Sequence, residues 1–162
     1  MEQTYQTLIG QLLDAAKSAG ASGADAMLAR GQSTSVSIRH GKVESAERSE
    51  DFDIGLRVFV GQQTASISTS QLDADNIKDL AARAVTMAKL APEDPYVTLA
   101  SADQLAQQIP MLDIYDPAQP DADSLRQRAS EAEAAALSVN GITNSDGGNA
   151  GHGVVDVLIA TS

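Results

Sequence analysis

Two short turns, His40-Gly41 and Gly61-Gln62, cut the stretch Ser35–Ser70 into segments patterned as strands. Val36 and Ile38 alternate with Ser35, Ser37 and Arg39. Ile54, Leu56, Val58 and Val60 alternate with Gly55, Arg57 and Phe59. A period of two places one set of side chains on each face of a sheet, and no helix reproduces it. Glycine supplies the positive φ that a two-residue hairpin turn needs. Val43 resumes the strand after the first turn, and the polar run Glu44–Asp53 is expected to be an exposed strand pair or a loop. After the second turn, Thr64–Ser70 returns as a strand rich in Ser and Thr, with Ala65 and Ile67 on one face. The stretch commits the chain to consecutive antiparallel strands.

Helices flank this block. Tyr5, Leu8, Ile9, Leu12, Leu13 and Ala16 recur at three- and four-residue steps, which predicts a helix over residues 4–19 with Gly20 as its left-handed cap. A strand is expected at Asp25–Ala29, ending at Arg30-Gly31. Asp73 is a good N-cap for a second helix, with Ile77, Leu80, Ala81, Ala84 and Ala88 as its buried stripe and Pro92 beyond its end. All five prolines fall between 92 and 120, so residues 92–121 read as a long connection with one helical turn near Ala102–Gln107. A third helix is expected over Ala122–Ser138, with Leu125, Ala129, Ala132 and Ala136 inward and Arg126, Arg128, Glu131 and Glu133 elsewhere. Strands at Gly141–Ser145 and Gly153–Thr161 should then flank the turn Asp146–His152.

The fold predicted is α+β, one domain over 1–162, with an antiparallel sheet of about six strands and three helices mainly on one face. The chain stops at Ser162 just after the well-formed strand Val155–Ala160, so it is expected to be the N-terminal part of a longer protein. Its 162 residues suffice for a real core. Aromatics are only 3 %, so that core must be made of Ala, Val, Ile and Leu.

A net charge of −11 argues against a nucleic-acid surface, which needs clustered Lys and Arg, and against an anionic membrane. There is no cysteine, so no disulfide, thiolate nucleophile or Cys-ligated metal is available. Residues 1–4 lack the pattern of a secretory signal, and no apolar run approaches the ~20 residues that span a bilayer. A cytoplasmic location is the default expectation.

Candidate chemistry is sparse. His40 and His152 read as turn residues, because neither has a second histidine within helical reach. Asn144–Asn149 fails the calcium-loop spacing, with Asn149 where Gly is required and Val155 where Glu is required. Gly147, Gly148, Gly151 and Gly153 precede a strand rather than a helix, so they do not form a dinucleotide loop. Ser66, Ser68 and Ser70 lack a nucleophile elbow and read as the solvated face of a strand. The acidic cluster Glu44, Glu47, Glu50, Asp51 and Asp53 reads as a solubilising edge.

One resemblance adds to this. The segments Gly23–Ala26, Ser35–Glu44, Gly55–Gly61 and Ala65–Ser70 are similar to the N-terminal domain of the TldD/PmbA family, also described as modulators of DNA gyrase. The GLRVFVG wording and the later SDGG turn (Ser145–Gly148) resemble the PmbA (TldE) branch more than the TldD branch. The resemblance implies a parent protein much longer than this chain. It implies a zinc metallopeptidase assembly in which a TldD-type partner holds zinc through HExxxH, a motif this chain lacks. It implies homo- or hetero-oligomerisation with that partner, and a peptide or unfolded polypeptide as substrate. No catalytic or metal-binding residue is assigned within the chain. The candidate substrate or interface residues are Ser66, Ser68, Ser70 and Arg57. The role expected is a non-catalytic one in subunit assembly or in the peptide channel. The alternative is a non-proteolytic interaction module acting on DNA gyrase or another protein.

Overall fold

The computed structural model describes residues 2–71 and 76–162. In chain order its elements are α1 (Glu2–Ser18), β1 (Gly23–Arg39), β2 (Lys42–Val60), β3 (Gln63–Thr69), α2 (Ile77–Leu90), a short 3₁₀ turn (Ala102–Gln104), α3 (Ala122–Leu137) and β4 (Gly148–Thr161). The strands form one sheet in the order β3-β2-β1-β4. By contacts the chain divides into two compact units. One is Met1–Arg30, Phe52–Met111 and Asp156–Ser162; the other is Gly31–Asp51 and Leu112–Val155.

The first unit holds the larger core. Ile9, Leu12, Leu13 and Ala16 of α1 meet Ile77, Leu80, Ala81, Ala84, Val85 and Ala88 of α2, and both stripes cover Ala24, Ala26, Leu28, Ile54, Leu56 and Val58 of β1 and β2. These are the stripes the periodicity predicts. Small alanines let the helices approach closely, and each fully buried Leu or Ile stabilises by about 1.5–3 kcal/mol. Gly20 has φ 104°, and the Ala21 N–H reaches the Ala16 carbonyl while that of Gly20 reaches Lys17, the two bonds of a Schellman cap. The predicted cap Asp73 lies outside the described residues; the described helix starts after Asn76.

The second unit is built on the β1–β2 hairpin tip. His40 and Gly41 both have positive φ, 50° and 70°, as the predicted two-residue turn requires. Leu125 and Ala129 of α3 pack on Val36 and Ile38 of β1. Asp121 caps α3, accepting the Ser124 N–H at 2.8 Å. The helix face differs from the expected one: Ala132 and Ala136 are exposed, and Glu133 is buried in their place. Its carboxylate accepts the His40 and Gly41 N–H groups at 2.8 and 2.9 Å, which gives a buried charge two donors.

The expectation of about six strands is corrected to four among the described residues. The predicted strands at 25–29 and 35–39 are one strand, since β1 runs unbroken through Gly31–Thr34. Between Leu28 and Val36 no residue of β1 is buried, so the alternation that marks a strand is lost while backbone pairing continues. The run 44–53 is likewise strand inside β2, exposed except for half-buried Ser45 and Phe52, not a pair of strands or a loop. Gly141–Ser145 is irregular, because Gly141 takes φ 93° and Ser145 turns inward to accept the Gly147 N–H at 2.9 Å. β4 instead starts at Gly148, five residues before the expected strand, with Asn149 donating to the Ser37 hydroxyl at 2.8 Å.

Candidate functional site

β3 is an edge strand. Its register on β2 is antiparallel, with Val60 opposite Gln63, Val58 opposite Ala65, Leu56 opposite Ile67 and Ile54 opposite Thr69. In a two-residue hairpin the pair next to the turn is hydrogen bonded, and bonded pairs then recur at every second residue. Gln63, Ala65, Ile67 and Thr69 therefore spend their backbone groups on β2. Thr64, Ser66 and Ser68 direct theirs away from the sheet, and among the described residues no further backbone takes them up. The side chains of Ser66 and Ser68 are exposed, while Ala65 and Ile67 lean on the core.

The four predicted site residues do not form one cluster of equivalent groups. Ser66 stands opposite Arg57 and Ser68 opposite Gly55 in the register. Ser70 lies one residue past the end of β3. Arg57 is committed within the fold. Its Nε donates to both oxygens of Asp25 on β1, at 3.2 and 3.0 Å, and its Nη2 donates to Oδ2 of the same carboxylate. The guanidinium also lies 5.1 Å over the Phe59 ring. The hydrogen bonds that Arg57 donates to Asp25 are the main influence raising its pKa, burial opposes them, and the Asp25 charge adds to the rise. Arg57 is thus a clamp between β1 and β2, already satisfied by a bidentate carboxylate.

A groove of about 800 Å³ is lined by Thr69 and Gln71 on one side and by Asp79, Arg83, Thr86 and Met87 of α2 on the other. α2 runs back beside β3, with Gln63 Nε2 donating to the Lys89 and Ala91 carbonyls at 3.2 and 2.6 Å. No group of three or more His, Asp or Glu side chains among the described residues is placed to hold a metal ion.

A metalloprotease PmbA homologue of Haemophilus influenzae is 34 % identical over 147 residues, 90 % of this chain and 32 % of that protein. The metalloprotease PmbA of Escherichia coli O157:H7 is 32 % identical over 128 residues, 78 % of this chain and 28 % of that protein. Residues 24–88 match the family model described as PmbA/TldA metallopeptidase domain 1. The chain belongs to the PmbA/TldD family. It spans about a third of the length of the curated relatives it matches. A Bacteroides thetaiotaomicron protein described as a modulator of DNA gyrase shares the fold, with TM-score 0.86 at 20 % identity over 96 % of this chain and 36 % of that one. TldE of Thermococcus kodakarensis also shares it, with TM-score 0.77 at 15 % identity over 96 % of this chain and 35 % of that one.

The matched region of this PmbA/TldD domain contains β3, α2 and the groove between them. Sequence reasoning found the strand but not the groove. The signal was present in α2, where Asp79, Arg83, Thr86 and Met87 form a second stripe beside the buried one. Nothing in that stripe shows by itself that a strand edge lies beside it. Glu133 was missed for a similar reason: its partners are backbone N–H groups ninety residues and more away in sequence.

Proposed function

We propose that this chain acts as the N-terminal, non-catalytic domain of a PmbA-type subunit in a cytoplasmic TldD/PmbA metallopeptidase assembly. The domain contributes to subunit assembly or to guiding peptide substrate. Hydrolysis belongs to a TldD-type partner, which would hold zinc through residues outside this chain. The PmbA names of both curated relatives support the branch. No helix among the described residues is long and apolar enough to cross a membrane, which is compatible with the location.

The observation that carries the role is the unpaired edge of β3. An exposed edge presents a row of N–H and C=O groups at the spacing of a strand. An extended polypeptide can add to it through main-chain hydrogen bonds, with little demand on side-chain sequence. Natural edges are usually blunted by Lys or Pro, and Gln63–Thr69 has neither. Ser66 and Ser68 keep the edge polar without closing it.

The test is made on the family-length protein co-expressed with its TldD-type partner. Ser66, Ser68 and Ser70 are replaced together by lysine, and co-purification, zinc content and cleavage of an unfolded polypeptide are measured. A loss of assembly or of cleavage is expected. Unchanged assembly and unchanged cleavage would sink the role. Action on DNA gyrase with no peptide cleavage by the complex would replace it with the interaction-module reading.

A further inference from the structure

The β3 edge and the β3–α2 groove lie side by side, since α2 runs back along β3 to Gln63, and they offer complementary chemistry. The edge supplies backbone donors and acceptors at Thr64, Ser66 and Ser68. The groove supplies side chains. Arg83 is exposed and makes no ion pair or hydrogen bond among the described residues, in a chain whose net charge is −11. Met87 beside it is 45 % exposed, an adaptable apolar surface. Asp79 stands one turn earlier on the same helix and is not ion-paired with Arg83.

We infer that the edge of β3 and the β3–α2 groove form one binding site for an extended peptide that carries an acidic residue beside an apolar one. The peptide strand pairs with Thr64, Ser66 and Ser68, its carboxylate meets Arg83, and its apolar side chain lies on Met87. Main-chain pairing gives affinity, and the groove beside it gives selectivity. Asp79 repels an acid placed one step too early, which sets the direction of the strand. A second copy of β3 is a poorer occupant, because Gln63–Thr69 has no acidic residue to offer Arg83. This inference deepens the proposed peptide-guiding role and rests on it.

The experiment is fluorescence anisotropy on the purified full chain. The probe is a labelled synthetic peptide of alternating valine and threonine ending in leucine and glutamate. Its controls are the glutamine counterpart and a version N-methylated along one edge. The glutamate peptide should bind about three- to fivefold more tightly than the glutamine one, the gain an exposed ion pair supplies. Arg83→Gln should erase that preference. Ser66→Pro removes an outward N–H at an edge position that tolerates proline, and should weaken both peptides alike. The N-methylated peptide tests the same hydrogen bonds with the protein unaltered. Equal binding of the glutamate and glutamine peptides overturns the inference, and so does indifference to N-methylation. Dimerisation through β3, seen by sedimentation and lost in Ser66→Pro, also overturns it. If the peptides are not discriminated while the assembled complex still cleaves polypeptide, the groove fails and the assembly reading stands. If they are discriminated while the complex cleaves nothing, the assembly reading fails and the peptide site stands.

Discussion

Glu133 holds the backbone N–H of Gly41 at 2.9 Å, across 92 positions of sequence. Its other oxygen takes the N–H of His40 at 2.8 Å. The hairpin turn leaves these two donors without strand partners, and a carboxylate on α3 satisfies both. The Gly41 bond is the main influence lowering the Glu133 pKa; burial opposes it, and the His40 bond adds to the lowering. A lowered pKa means stabilisation that is present above the ordinary glutamate value, about 4.3, and lost as pH falls through the folded value. Glu133→Gln keeps one acceptor but sets an amide N–H against the other donor. Thermal unfolding should therefore show a lower Tm for the variant near neutral pH. The gap should narrow as the pH is taken below the ordinary glutamate value and through the lower folded one, where the wild-type carboxyl takes up its proton. A gap independent of pH would show that the carboxylate charge plays no part.

The SDGG turn is a packing requirement. Gly147 has φ 111°, and a Cβ there would run into the Ile38 carbonyl. A Cβ on Gly148 would run into the Ala129 carbonyl. Backbone on both sides cannot step aside as a side chain would. Gly147→Ala and Gly148→Ala should each destabilise by about 1–3 kcal/mol or more in urea unfolding. Gly10 is the control: it sits in α1 with nothing within 4 Å of its added Cβ. Gly10→Ala should stabilise by roughly 0.5–1 kcal/mol through helix propensity.

The clamp between Arg57 and Asp25 is partly exposed, so its worth is modest. Arg57→Ala and Asp25→Ala, combined in a double-mutant cycle, should give a coupling of about 0.2–1 kcal/mol. Arg57→Lys should lose most of it, since an ammonium cannot reproduce the bidentate fork. The cycle is read by urea unfolding at low and high salt, and the coupling should shrink at high salt. A coupling that salt leaves unchanged would mean that the pair is held by packing on Phe59 rather than by charge.

The elements that bury a regular stripe were legible in the sequence: α1, α2, the Ile54–Val60 part of β2, and the His40-Gly41 turn. What was not legible has a common cause. Sequence periodicity reports what a side chain packs on, and Gly31–Thr34 and Glu44–Asp53 pack on little while their backbones continue in the sheet. Two predicted strands therefore read as separate where the chain forms one. Glu133 failed differently. A charged residue on an alanine-rich helix reads as solvent-facing unless the distant backbone donors are known, and nothing near it names His40 and Gly41. For the site, the Ser/Thr edge was visible as a strand, but Arg57 looked available because Asp25 lies on another strand, 32 positions away.

Leu125 tests how the second unit is held. It is 1 % exposed, and its buried apolar companions are Val36, Ile38 and Ala129, with Ala150 partly buried beside them. Truncating the isobutyl side chain to methyl leaves a cavity that so small a cluster has little means to fill. Leu125→Ala should cost about 2–5 kcal/mol. The loss should not be uniform in amide hydrogen exchange. α3 has only Leu125, Ala129 and Glu133 buried, so its amides should lose protection first, together with those of Val36–Arg39. Amides of α1 and α2 belong to a separate cluster built on Leu12, Leu56 and Ala81, and should follow only the global stability. Equal loss of protection in α1, α2 and α3 would show that α3 opens only with the whole chain, and that the four-residue cluster is not an independent source of its order.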